Sequence, residues 1–232
     1  MMAQLNESLK IPCKEEEVEF GVAFRWQHWI RALSIVVLAV SGFYLAYPFL
    51  SPPVNAEPTG FLYALFRSWH EIFGFVLISV ILYKTFLFFF SKQHANERTS
   101  LGDFLNPKVW MAQIKYYLLI EKHPAIKGAY NPLQFVAYVS FYIMIFLLIL
   151  TGLILYTNVY HSGFGGLING PMRFFESLFG GLSTVRLFHH ILTWGIILFV
   201  TVHVYMAIYN SIFGKEGGMD AIFSGLKWKK KH

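Results

Sequence analysis

The amino-acid sequence predicts an all-α integral membrane protein with four membrane-spanning helices. Of its 232 residues, 56% are hydrophobic and only 14% are charged, which is typical of a chain embedded in lipid. Four apolar segments have the roughly 20 residues that are needed to cross a hydrocarbon core of about 30 Å. These segments are 26–47, 68–90, 133–156 and 186–213. We interpret residues 1–232 as one membrane domain.

Helix-breaking residues mark the ends of these segments. The first is followed by Pro48, and glycines occur within 214–218 after the fourth. Asn131-Pro132 precedes the third segment, and a proline is well tolerated in the first turn of a helix. Both the spans and their order are therefore readable from the sequence.

The distribution of basic residues predicts the topology. The loop 91–131 carries six Lys or Arg residues, whereas 48–66 carries none and 157–185 carries one. The positive-inside rule therefore places the 91–131 loop, the N-terminal segment 1–24 and the Lys-rich tail 214–232 in the cytoplasm. In a membrane protein, an excess of basic residues indicates orientation in the membrane and contact with anionic lipid. The sequence shows no nucleic-acid-binding motif.

The two long loops are each expected to contain a helix that lies in the membrane interface. These stretches are 104–120 on the cytoplasmic side and 171–182 on the outer side, and both are rich in aromatic residues.

Two histidines of the fourth segment share one face of the helix. His189 and His203 are fourteen residues apart, a rotation of about 1400°, or roughly 40° short of four turns, and an axial separation of about 21 Å. The adjacent His190 points about 140° away from His203. Ionisable side chains within a membrane are costly and are usually functional.

Depth in the membrane sorts the intramembrane histidines into two pairs. His70 and His189 fall near the outer side, and His28 and His203 fall near the cytoplasmic side. Two histidines fill both axial positions of a haem iron, so we expect two b haems, an outer and an inner one. The single cysteine, Cys13, excludes a CxxCH haem attachment and a cysteine-held cluster. Zinc would require about four converging ligands. For each histidine alone, hydrogen bonding to a neighbouring helix is the alternative.

An arginine stands three residues before three of these histidines, one turn nearer the water. These are Arg25, Arg67 and Arg186. A guanidinium at this place would pair with a haem propionate, or would snorkel to the headgroups. Gly42 is fourteen residues after His28 and lies at the depth of the other haem, where it leaves room for a porphyrin edge or for close helix packing.

These residues resemble the b-type cytochrome subunit of membrane-bound nickel–iron hydrogenases over nearly the whole chain. The motif Arg25-Trp26-Gln27-His28-Trp29 is similar to the family's RxxHW element, and Ser41-Gly42 stands where the family usually has Thr-Gly. In the fourth segment, Arg186-Leu187-Phe188-His189 and His203-Val204-Tyr205-Met206-Ala207 resemble two further family elements.

The resemblance implies a role in electron transfer in the bacterial inner membrane. Such subunits anchor a hydrogenase whose large nickel–iron subunit and small iron–sulfur subunit, with its own membrane anchor helix, lie on the periplasmic side. They pass electrons from the iron–sulfur chain to a membrane quinone. The expected path runs from the outer haem to the inner haem and then to quinone near the cytoplasmic face.

Two amide side chains are the expected quinone site. Asn131 and Gln134 are three residues apart at the cytoplasmic start of the third span, where they would donate to quinone carbonyls. The alternative is that Asn131 caps the helix and that Gln134 faces headgroups.

Two other functions stay open from the sequence. A dihaem anchor of another dehydrogenase, such as formate dehydrogenase, would have the same spans and ligands but a different outer partner. A non-haem transporter or assembly protein would be colourless and would be expected to have helices broken in mid-membrane, whereas the spans here contain no internal proline.

Overall fold

The computed structural model of the chain describes residues 14–18, 20–50, 61–91, 95–117, 132–213 and 218–230. Eight helices lie between two short strands in this part of the chain. In order they are β1 (Lys14–Val18), α1 (Val22–Ala46), α2 (Leu62–Phe90), α3 (Ala95–Phe104), α4 (Pro107–Tyr117), α5 (Pro132–Thr157), α6 (Gly163–Leu178), α7 (Leu182–Phe213), α8 (Gly218–Ser224) and β2 (Leu226–Lys230).

The prediction of four spans is confirmed. Among the described residues, four helices are long and apolar enough to cross a membrane: Val22–Ala46, Leu62–Phe90, Gln134–Thr157 and Leu182–Ile208. Helices α1, α2 and α7 begin four to six residues before the predicted segments, and the added residues include no glycine or proline that would end a helix. A helix was expected in each long loop, over 104–120 and 171–182. Helix α4 lies within the first range and follows α3, whereas α6 begins before the second range and ends before Gly180 and Gly181, whose φ angles are positive. Their position in the membrane interface stays a prediction.

The chain divides into two compact units. One comprises residues 34–197 and the other comprises residues 1–33 and 198–232. In the first unit, the core is formed where α5, α6 and α7 meet: Ile154, Met172 and Val185 are buried together and are surrounded by partly buried apolar residues. Helices α3 and α4 pack against α5 in the same unit.

The second unit joins the two ends of the chain. Strand β1 pairs antiparallel with β2, and the register places Glu15 opposite Lys229 and Glu17 opposite Lys227. Helix α8 precedes β2, and the Phe20 backbone N–H donates to the carbonyl of Gly225, 3.3 Å away. The predicted all-α fold did not include this two-stranded ribbon. Its strands are more than 200 residues apart in the sequence, so local sequence patterns do not indicate their pairing.

Candidate haem centres

The histidines of the predicted outer pair face each other within the unit of residues 34–197. The ring centroids of His70, on α2, and His189, on α7, are 6.3 Å apart, and the ring planes are inclined by 65°. With a metal–nitrogen distance of about 2.1 Å and about 1.1 Å from centroid to nitrogen, two imidazoles on one iron have centroids about 6.4 Å apart. The two rings therefore have the separation that axial ligation of one iron requires.

Two hydroxyl groups orient these rings. Ser41 Oγ lies 3.0 Å from His70 Nδ1, and Thr151 Oγ1 lies 2.8 Å from His189 Nδ1. Each hydroxyl donates its own proton to a carbonyl one turn back in its helix, Ser41 to Val37 and Thr151 to Leu147. This arrangement favours the tautomer in which Nδ1–H donates to the hydroxyl oxygen, which leaves the lone pair of Nε2 for a metal.

Each of these hydroxyls is followed by a glycine that makes room for the same ring. A Cβ at Gly42 would lie 3.1 Å from His70 Cε1, and a Cβ at Gly152 would lie 3.5 Å from His189 Cε1. The sequence analysis identified Gly42 but missed Thr151 and Gly152. The signal was present, because the hydroxyl-glycine dipeptide of the first span recurs in the third.

An apolar cavity opens beside the outer pair. Both His70 and His189 line it, and its volume is about 140 Å³. Gly74, one turn after His70, lines the cavity, and a Cβ there would meet nothing within 4 Å. The remaining wall is mostly apolar, with residues such as Ile35, Ile145 and Ile196. These residues fit a porphyrin: two facing ligands, apolar walls and a missing side chain where the macrocycle edge would lie.

The other unit contains the predicted inner pair. The ring centroids of His28, on α1, and His203, on α7, are 6.4 Å apart and inclined by 47°. The Phe199 ring is parallel to that of His203, with centroids 6.1 Å apart, and Trp29 meets His28 edge-on. His28 Nδ1 is buried and has no hydrogen-bond partner among the described residues. This pair also has the separation of two axial ligands, but no hydroxyl group of the described residues bonds to either ring as in the outer pair.

The predicted propionate arginines have different surroundings. Arg67 Nε donates to Glu71 Oε1, 3.0 Å away, and its guanidinium lies 5.6 Å from the centre of the Tyr160 ring. Tyr160 donates its hydroxyl proton to the other oxygen of Glu71, 2.9 Å away. This hydrogen bond raises the pKa of the Tyr160 hydroxyl. The sequence analysis did not identify this group of three side chains beside His70.

The other candidate residues are less closely tied to the histidine pairs. Arg25 donates to the carbonyl of Phe223, at the end of α8, and Arg186 is exposed on α7. Gln134 is exposed near the start of α5, and Asn131 lies outside the described residues. The propionate and quinone roles of these four residues stay predictions.

Comparisons with known proteins identify the family. A family model described as "Prokaryotic cytochrome b561" matches residues 19–225. The chain is 30% identical over 220 residues to a protein of Azotobacter chroococcum mcd 1. The aligned region covers 91% of this chain and 88% of that protein. It is 27% identical over 223 residues to a protein of Escherichia coli (strain K12), with 91% and 90% covered.

The names of these relatives agree with each other. The first is called "Probable Ni/Fe-hydrogenase B-type cytochrome subunit", and the second "Probable Ni/Fe-hydrogenase 1 B-type cytochrome subunit". A relative in Cupriavidus necator, 29% identical with 88% of this chain and 83% of that protein covered, has the same name as the first. Since the family model matches nearly the whole chain, the protein belongs to the prokaryotic cytochrome b561 family.

Proposed function

We propose that the chain is the cytochrome b subunit of a nickel–iron hydrogenase that transfers electrons to a membrane quinone and anchors the enzyme. The observation that carries this proposal is the presence of two histidine pairs whose centroids are 6.3 and 6.4 Å apart, each close to the separation that one iron requires. The names of the relatives support the hydrogenase partner.

In this proposal, His70 and His189 hold the outer b haem, and His28 and His203 hold the inner one. When bound, the two haems would supply one-electron carriers between the partner's iron–sulfur chain and quinone. The chain's own residues fix the ligands: Ser41 holds the Nδ1 proton of His70 at 3.0 Å. A hydrogen-bond acceptor on the other ring nitrogen sets the tautomer and raises the basicity of the ligating nitrogen.

Topology and partners follow from the same proposal. Both termini and the Lys-rich 91–131 loop are cytoplasmic, in the inner membrane, because of the positive-inside rule. The small subunit with its anchor helix and the large subunit then lie on the periplasmic side. Quinone is reduced near the cytoplasmic side, where Asn131 and Gln134 are the proposed contacts.

Haem stoichiometry of the purified chain tests the proposal directly. We expect two b haems per chain from pyridine haemochrome spectra. His70→Ala and His203→Ala should each remove one haem, with a different midpoint potential lost in each variant. A matched control is His190→Ala, because His190 packs edge-on against Phe43, 5.7 Å away, and belongs to neither pair. A colourless protein would instead favour a transporter or an assembly protein.

Identification of the partner requires the complex. Affinity purification from mildly solubilised membranes should recover a nickel–iron large subunit and an iron–sulfur small subunit, with hydrogen-dependent quinone reduction. Recovery of a formate dehydrogenase instead would be consistent with a dihaem cytochrome but would contradict the hydrogenase as its partner.

A further inference from the structure

Gln27 carries a buried amide that has no hydrogen-bond partner in the part of the chain that the structure describes. The residue lies on α1, immediately before His28, and its side chain is only 3% exposed. Both Nε2 and Oε1 are buried without a hydrogen-bond partner among the described residues. Burying an amide without a hydrogen-bond partner is unfavourable. Such a group beside a candidate cofactor ligand is therefore a candidate contact for a bound molecule.

The surroundings of this amide combine a cation with aromatic rings. Arg31, 8% exposed, lies one turn further along α1, on the side between Gln27 and His28. One to two turns in the other direction, the rings of Phe20 and Phe24 stack with centroids 4.6 Å apart and planes 9° apart. A cation and an aromatic pair thus lie within two turns of Gln27 along the chain, and the next residue is His28, a ligand of the proposed inner haem.

The chemistry of the amide selects among possible ligands. A haem propionate offers only acceptor oxygens, so it would use Nε2 and leave Oε1 unpartnered. A quinone carbonyl accepts from Nε2, and after reduction the quinol hydroxyl donates to Oε1. An amide that presents both a buried donor and a buried acceptor therefore matches a ligand that changes from acceptor to donor.

We propose that the Gln27 amide binds the head group of the membrane quinone beside the His28–His203 pair, an inference that rests on the proposed function. The quinone takes up two electrons from hydrogen oxidation in the partner subunits and two protons from water, and its two carbonyls become the two hydroxyls of quinol. Gln27 is then a substrate-binding residue that neither the sequence motifs nor the predicted Asn131 and Gln134 site includes.

The test is binding of a quinone-site inhibitor to the solubilised hydrogenase complex. A hydroxyquinoline N-oxide, whose fluorescence is quenched on binding, gives a dissociation constant without turnover. Gln27→Leu should weaken its binding about tenfold, the loss of one hydrogen bond of about 1.4 kcal/mol. The KM for a short-chain quinone analogue should rise similarly. Leucine replaces an unpartnered amide of similar size, so haem content should stay at the wild-type value, and Gln27→Met provides a second apolar variant.

The matched control is Gln113→Leu. Gln113, on α4, is also buried, at 2% exposure, and its amide atoms also lack a partner among the described residues. We expect the Gln113 variant to bind the inhibitor as the wild type does. Equal weakening in both variants would overturn the inference, because the effect would then not be specific to Gln27.

Other outcomes also decide the question. Unchanged binding in both Gln27 variants would refute the inference and leave an ordered water as the amide's partner. A shifted inner-haem potential with unchanged inhibitor binding would also refute it and assign the amide to a propionate. If the wild-type complex neither binds the inhibitor nor reduces quinone, the proposed function itself fails, which is distinct from failure of the Gln27 variants alone.

Discussion

Replacement of Thr151 by valine should weaken the outer haem site selectively. Thr151 is fully buried, and its hydroxyl lies 2.8 Å from His189 Nδ1. Valine keeps the shape of threonine but removes the hydroxyl, so the His189 ring keeps only its hydrogen bond with the backbone of Leu148. Loss of a hydrogen-bond partner of a metal ligand lowers metal affinity by roughly 10–100-fold, or about 1.4–2.7 kcal/mol. A less basic ligand stabilises the ferric iron less. If a tenfold loss falls on the ferric form, the potential rises by about 59 mV.

Potentiometric titration of the reduced-minus-oxidised spectrum measures this effect. We expect one of the two midpoint potentials to rise in Thr151→Val while the other stays fixed. Ser41→Ala, which removes the equivalent partner of His70 at 3.0 Å, should shift the same potential.

A nearby threonine provides the control. The hydroxyl of Thr157, six residues further along α5, is also buried and donates to the backbone carbonyl of Ile154, 3.0 Å away, and not to an imidazole ring. Thr157→Val should therefore leave both potentials at their wild-type values. If Thr151→Val changed neither potential nor haem content, the orienting role of the hydroxyl would be wrong.

Three further predictions concern the surroundings of the outer pair. Gly42→Ala should lower outer-haem occupancy, because its Cβ would lie 3.1 Å from the His70 ring. Gly152→Ala should be tolerated, because its Cβ would lie 3.5 Å from the His189 ring. Equal losses of haem absorbance in the two variants would contradict this prediction. Arg67→Gln should shift the outer-haem potential downward if the guanidinium pairs with a propionate, and an unchanged potential would assign Arg67 to Glu71 alone. The hydrogen bond to Glu71 raises the pKa of Tyr160. The stability that this bond contributes is therefore fully present below the pKa of tyrosine in the unfolded chain, about 10, and is lost as the pH rises through the pKa of Tyr160 in the folded chain. Tyr160→Phe should therefore remove an alkaline step from the pH dependence of thermal unfolding, and persistence of that step would exclude Tyr160 as its source.

The parts of the structure that the sequence predicted are those governed by local periodicity. Four apolar segments predicted four helices, and depth alone paired His70 with His189 and His28 with His203, whose ring centroids lie 6.3 and 6.4 Å apart. Depth works because a helix that spans the membrane has one coordinate that is set by residue number.

Contacts between helices were beyond such reasoning. Nothing in the period of the third span shows that Thr151 faces His189 on another helix, and only the repeated hydroxyl-glycine dipeptide hints at it. In the sequence Gln27 stands out only as part of the Arg25–Trp29 motif, because the burial of its amide depends on what packs against α1. Helical periodicity gives the face on which a residue lies but not the neighbour of that face.

Long-range contacts bear most directly on the pair His28 and His203. In the unit formed by residues 1–33 and 198–232, the indole N–H of Trp29 donates to the carbonyl of Ile222, 3.3 Å away, and the Trp29 ring packs on Phe223 with centroids 4.8 Å apart. These contacts attach α8, which follows the helix of His203, to the turn of α1 that carries His28.

The two pairs are therefore held by different means. The outer pair has hydroxyl partners within the membrane-spanning helices, so its geometry is fixed ring by ring. The other pair lacks such partners among the described residues, and its helices are instead joined by α8 and by the pairing of β1 with β2. Fixing a ring through a hydroxyl restrains its rotation, whereas joining two helices restrains only the distance between them. The position of the His28 ring is thus set by packing, with Trp29 edge-on against it, and not by a hydroxyl among the described residues, beside the place where, in our proposal, quinone binds.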